Sequence, residues 1–194
     1  HGVIAAARGT GLLPPGGDVI VLLSGGPDSV CLLDVAATLA GPSSVTALHV
    51  DHGFRPGEED TRLCQEVCDR AGVRLVVETL DPSTAQGNMQ AWAREQRYGL
   101  AGSLAAEVGN ATIAAGHTAS DQAETVLYRL AAAPGRRALL GMSARTGQLI
   151  RPLLGVRRTE TVGYCVERRI PFNEDPTNDS LVYARNRVRS GLVG

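Results

Sequence analysis

The sequence predicts an α/β protein of three layers, a parallel five-stranded sheet with helices on both faces. Three observations predict it. Short apolar, β-branched runs alternate with longer stretches of helical periodicity along most of the chain, which is the pattern of right-handed βαβ crossovers. Glycine or Gly-Pro stands where strand-like runs turn or helical ones stop. Polar clusters follow three of the strand-like runs directly, where ligands bind in such a sheet.

Residues 18–23 form the first strand, a compact apolar run, and a glycine turn leads from it into a helix over 28–39 that Gly41-Pro42 stops. Residues 45–50 are a second strand ending in Asp51-His52-Gly53, with His49 a packed polar residue inside it. A helix over 57–71 closes on Gly72, and residues 73–79 form the third strand. A turn-rich connection to Asn88 precedes a long helix ending near Glu107. Residues 111–115 are the fourth strand and 119–132 the next helix. An irregular stretch from Pro134 leads to a short strand near 148–151, a helix near 155–168 and a C-terminal helix from about Asp179.

The 194 residues suit one domain, residues 1–194, and are too few for two ordinary ones. The composition, 43% hydrophobic and 20% charged, is that of a globular protein, and no apolar run reaches the roughly 20 residues that span a bilayer. The first residues do not read as a signal peptide. Cys31, Cys64, Cys68 and Cys165 are scattered and largely helical, a poor disulfide framework that fits a reducing cytoplasm. The net charge of −1 is unevenly spread: residues 1–128 carry 7 Arg against 15 acids, and residues 129–194 carry 12 Arg against 5. A basic C-terminal third suits either a solvated surface or a polyanion such as RNA. The chain has no lysine. That excludes a Walker-type phosphate lysine, a Schiff-base lysine and a lysine base.

The strongest motif is Ser24-Gly25-Gly26-Pro27-Asp28-Ser29, between the first strand and the first helix. Two glycines let backbone approach an anion closely, and the helix N-terminus behind them favours phosphate. The Ser24 and Ser29 hydroxyls are further donors. Asp28 repels phosphate, so a Mg²⁺ bridging the two resolves the conflict. The bland alternative is a turn with an Asp or Ser cap. Asp121 and Glu124, three apart, share one helix face near its start, where they either grip an ammonium or a metal, or serve as acids favoured by the helix dipole. His117 either touches a nucleotide or caps a strand end. Cys64 and Cys68, four apart, lack further ligands at metal-site spacing and read as structural.

In order along the chain, the 24–29 motif matches the SGGxDS loop of the ATP-pyrophosphatase superfamily. Val50-Asp51-His52-Gly53-Phe54-Arg55, Trp92-Ala93-Arg94-Glu95-Gln96-Arg97-Tyr98, Gly116-His117-Thr118-Ala119-Ser120-Asp121-Gln122-Ala123-Glu124-Thr125 and Tyr183-Ala184-Arg185-Asn186-Arg187-Val188-Arg189 follow, with Gly141-Met142 and Glu174-Asp175-Pro176-Thr177-Asn178 between the last two. The series resembles the tRNA(Ile)-lysidine synthases from about residue 18 to 190. The resemblance implies a carbon–nitrogen ligase that joins free L-lysine to the wobble cytidine of tRNA(Ile) through an adenylated intermediate, with ATP and Mg²⁺. It implies ATP at Ser24, Gly25, Gly26, Pro27, Asp28 and Ser29, with Val50, His52 and His117, and the metal at Asp28. Lysine falls to Asp121 and Glu124, with Arg185 or Arg189 contributing. It also implies a cytoplasmic protein, permits a homodimer, and leaves the tRNA-binding domains of many members outside this chain.

Two positions depart from the pattern. Ser120 stands where an aspartate is usual, and Ala132-Ala133-Pro134-Gly135 replaces an Arg-Gly-Ser-Gly turn whose arginine sits near the phosphates, with Arg136 and Arg137 close by in register. The alternatives are another ATP-dependent tRNA-modifying ligase of the same superfamily, disfavoured by the lack of a Cys-x-x-Cys pair in the thiolating case, or a catalytically impaired ATP- or RNA-binding paralogue.

Overall fold

The structure is a computed structural model, and it describes residues 2–53, 58–85, 87–132 and 139–173. Its elements are α1 (Gly2–Gly9), β1 (Val19–Leu22), α2 (Pro27–Ala40), β2 (Val45–Asp51), α3 (Glu58–Ala71), β3 (Arg74–Thr79), α4 (Met89–Glu107), β4 (Thr112–Ala114), α5 (Ala119–Ala132), β5 (Arg145–Thr146), β6 (Leu149–Ile150) and α6 (Arg158–Arg168). The strands form one sheet in the order β3-β2-β1-β4-β6-β5. Every neighbouring pair is parallel except β5 with β6.

Side-chain alternation builds the three layers. On β1, Val19 and Val21 face the core beneath α1, α2, α3 and α6, while Ile20 and Leu22 face the core beneath α4. β2 divides the same way, with Val45 and Ala47 on the first face and Leu48 and Val50 on the second. Because β1 lies between β2 and β4 and is buried throughout, all four of its residues can be apolar. β3, at one edge, is mostly exposed or half-buried.

The sheet has six strands where the sequence predicts five. The additional β5 is a two-residue strand that turns back on β6 through Gly147-Gln148, with Gly147 at φ 60° supplying the left-handed turn residue. Two residues carry no periodic signal, which is why the hairpin is invisible in the pattern. Helix α1 also goes beyond the sequence reading; Val3 and Ala7, four apart, anchor it on the first core. The expected C-terminal helix from about Asp179 lies outside the described residues.

Leu32, fully buried in α2, tests the core layer that carries the first loop. Leu32→Ala is expected to cost about 2–5 kcal/mol, measured as a lower urea midpoint at unchanged slope.

Candidate active site

Loops after β1, β2, β4 and β6 meet at one edge of the sheet. The 24–29 turn occupies its centre. Gly25 has φ 83°, a conformation that glycine adopts freely, and its carbonyl accepts from Asn173 N at 2.9 Å. Pro27 opens α2 at its first position, where its missing N–H costs nothing. The Ser29 hydroxyl donates to Gly26 O at 2.9 Å and accepts from Ser24 N at 3.2 Å, with Ser24 Oγ 3.1 Å away. Ser29 therefore braces the turn from within, while Ser24 is exposed at its mouth. Gly116, after β4, closes against this turn: a Cβ there would lie 3.0 Å from the Asp28 carbonyl carbon and oxygen.

Helices α2, α5 and α6 all point their N-termini at this region. Asp28 lies in the first turn of α2, Asp121 in that of α5, and Arg158 is the first residue of α6. Arg158 is the residue that joins them. Its Nε donates to Asp28 Oδ2 at 2.9 Å, its Nη2 to Asp121 Oδ1 at 3.0 Å, and its Nη1 lies 4.0 Å from Glu124 Oε1. The other oxygen of Asp28 accepts from the hydroxyl of Thr161, a fully buried residue one turn along α6. Burial raises the Asp28 pKa above the ordinary carboxylate value, against the opposing pull of Thr161 and Arg158.

Asp121 divides its two oxygens between its own helix and Arg158. Its Oδ2 accepts from Thr118 N at 2.7 Å and Thr118 Oγ1 at 2.8 Å, closing a capping box at the start of α5. Its Oδ1 faces Arg158. Ser120, the departure from the usual aspartate, has a local role: its Oγ accepts from Arg158 N at 3.3 Å, satisfying an N–H in the first turn of α6. Ala119 N also donates to Val156 O at 2.7 Å, so the starts of α5 and α6 are tied together.

The other sequence-chosen residues divide. Val50 is buried beneath α4 at the end of β2, with His52 just beyond, and His117 follows β4. Arg185 and Arg189 lie outside the described residues, as do Phe54, Arg55, the 133–138 stretch and the 174–178 segment. His49 is the packed polar residue expected, with Nδ1 2.9 Å from Leu23 O and 3.4 Å from Cys64 Sγ. All four cysteines are free and buried. Burial pushes the Cys64 and Cys68 thiols up to about 12. Arg158, Thr161 and Thr118 are what sequence reasoning missed. The available signal was chemical: half-buried carboxylates in a lysine-free chain need an arginine, but 19 arginines leave the choice open.

The profile of the PP-loop domain family matches residues 12–194. The chain belongs to that family. Among relatives of this PP-loop domain, the tRNA(Ile)-lysidine synthase of Gloeobacter violaceus is 38% identical over 94% of this chain and 58% of its own length. Those of Nocardia farcinica and Solibacter usitatus are 40% and 39% identical, over 90% and 92% of this chain and 54% and 40% of theirs. The chain thus spans roughly half the length of these relatives. Among solved structures, the U34-tRNA thiolase NcsA of Methanococcus maripaludis has a TM-score of 0.77 at 18% identity, over 97% of this chain and 70% of that one. The NMN synthetase of Francisella tularensis has 0.58 at 16%, over 88% and 69%. At such identities the likeness is one of fold. No helix of the described residues is long and apolar enough to cross a membrane.

Two predictions come from this geometry. Gly116→Ala pushes the β4 loop into the backbone of Asp28 and is expected to weaken ATP binding at least about tenfold, by calorimetry, because sub-ångström misplacement of a phosphate cradle is costly. His117 is held down from an ordinary 6.5 to about 4, mainly by burial. The unfolded chain therefore binds more protons than the folded one between those values, and His117 makes stability fall as pH drops from 6.5 towards 4. His117→Gln is expected to flatten that part of the urea-midpoint profile.

Proposed function

We propose that this PP-loop domain activates a tRNA base with ATP and joins lysine to it with loss of AMP, as the catalytic part of a tRNA(Ile)-lysidine synthase. One observation carries the reading. The carboxylates of Asp28, Asp121 and Glu124 lie around a single guanidinium beside the 24–29 turn. Three negative charges and one positive leave an excess of two, an environment that attracts further cations next to a phosphate-binding turn.

In this reading the ATP phosphates lie against the turn, whose glycines admit them and whose helix end offers positive potential. Val50 backbone, His52 and His117 border the nucleotide. Oxygen donors suit Mg²⁺, which usually takes one or two carboxylates plus phosphates. Each Asp28 oxygen accepts one described hydrogen bond and keeps a lone pair, so Asp28 fits as the protein ligand. When bound, the metal supplies neutralisation of phosphate charge. The wobble cytidine attacks the α-phosphorus, the bond to the β-phosphate oxygen breaks, and pyrophosphate leaves. Asp121 and Glu124 hold the lysine ammonium groups, Arg185 or Arg189 takes the lysine carboxylate, and the lysine amine then displaces AMP. The protein's part is placement and charge compensation.

Cys64 and Cys68 favour this over sulfur transfer, since thiols raised to about 12 and packed in the core are poor nucleophiles. The test uses an unmodified isoleucine tRNA, ATP and labelled lysine. Asp28→Ala is expected to lower pyrophosphate release at least about 100-fold, and Asp121→Asn to raise the lysine KM at least about tenfold with pyrophosphate release little changed. Lysine-independent turnover, or unchanged kinetics in both variants, overturns the assignment.

A further inference from the structure

The opposite side of the same sheet edge has the reverse charge. His52 and Arg151 follow β2 and β6 directly, and His117 stands three residues past the end of β4. Leu48 and Val50 on β2, Ile113 and Ala115 at β4, and Leu149 on β6 all belong to the core under α4, whereas Ile150 faces the other layer. Strand alternation therefore sends Arg151 to the α4 side. Over that side lies the first half of α4, whose Tyr98 packs on the same core. Arg94 and Arg97 flank Tyr98, their guanidinium carbons 5.0 and 5.9 Å from the ring centroid.

These guanidiniums have no carboxylate counterpart: among the described residues, neither Arg97 nor Arg151 is paired with an Asp or Glu. Arg151 is only 8% exposed. One of its terminal nitrogens donates to Ser143 O at 2.6 Å, but its Nε has no hydrogen-bond partner among the described residues. The Nε of Arg97 and the Nδ1 of His117 are likewise buried and unpartnered. Burying a charge that cannot be shed is costly unless an anion meets it. A planar guanidinium fork suits a phosphate oxyanion, and an aromatic ring between two arginines suits a neighbouring base.

We propose that Arg94, Arg97 and Arg151, with His117 at their inner edge, form a second phosphate site under α4, separate from the 24–29 turn and shaped for a phosphodiester of an RNA strand entering the active site. The choice of RNA rests on the function proposed above; the site itself does not. Across the edge, the carboxylates around Arg158 repel phosphate, so an RNA backbone is directed to the α4 side while its base reaches the centre.

The experiment measures binding of a labelled isoleucine anticodon stem-loop by fluorescence anisotropy, and of ATP and inorganic pyrophosphate by calorimetry. Arg97→Met and Arg151→Met are compared with wild type and with Arg8→Met on remote α1. Circular dichroism checks folding, and the exposed Arg94→Ser supplies a variant that leaves the buried packing alone. The expected result is an RNA affinity lower by about tenfold to hundredfold in Arg97→Met and Arg151→Met. The salt dependence should fall by about one unit of slope, with ATP and pyrophosphate binding unchanged. Loss of pyrophosphate affinity instead keeps the phosphate site and assigns it to the nucleotide. That same loss in the variants, where the wild-type chain itself shows no RNA affinity, keeps the site and sinks the tRNA reading. RNA, ATP and pyrophosphate binding all unchanged in Arg94→Ser, Arg97→Met and Arg151→Met overturns the site and leaves the tRNA reading standing.

Discussion

Asp28, Asp121 and Glu124 come from two helices that start on neighbouring strands, and no hydrogen bond among their own side chains could hold them together. Left alone, three half-buried carboxylates repel one another or take up protons. The Arg158 fork removes that conflict by bonding Asp28 and Asp121 at 2.9 and 3.0 Å with Glu124 at 4.0 Å. It also ties α6 to α2 and α5, because Thr161 on α6 reaches the remaining oxygen of Asp28. Removing one partner from such a partly buried group leaves charge uncompensated, a loss of about 3–5 kcal/mol for a fully buried pair and less here, where the side chains retain 12–25% exposure. The fork thus sets the positions of the groups that flank the 24–29 turn.

From this follows a division of the sheet edge by charge. The side bounded by α2, α5 and α6 carries excess negative charge, and the side under α4 carries arginines that have no carboxylate partner among the described residues. Between them, Ser24, Gly25, Gly26 and Pro27 of the turn carry no charged side chain. The function proposed above, which brings a polyanion, a nucleotide and a cationic amino acid to one point, would need such a separation, since neighbouring like charges would exclude one of the three.

The fold was legible where periodicity is strong. The strands around β1 and the helix over residues 119–132 agree closely with the sequence reading, because buried parallel strands are continuous apolar runs and amphipathic helices repeat over many turns. The β5–β6 hairpin is too short to produce a pattern. In the site, the Ser24–Ser29 turn was readable from its glycines and its position between strand and helix. Asp121 was readable by spacing, but its capping oxygen and its outward oxygen become distinct only in three dimensions. Arg158 was not readable. It meets Asp28 across 130 residues of sequence, and nothing local marks it among Arg157, Arg168 and Arg169 of the same region. The same holds for Arg151, whose significance comes from the strand register that turns it towards α4.

The most direct measurement is a double-mutant cycle in denaturant stability. Asp28→Asn and Asp121→Asn are made singly and together, first in the wild-type background and then with Arg158→Met. If Arg158 couples the carboxylates, the two substitutions are non-additive in the wild type by about 0.5–3 kcal/mol, and the coupling energy changes once the guanidinium is gone and only the direct repulsion between Asp28 and Asp121 remains. Additive effects in the wild-type background would contradict the account.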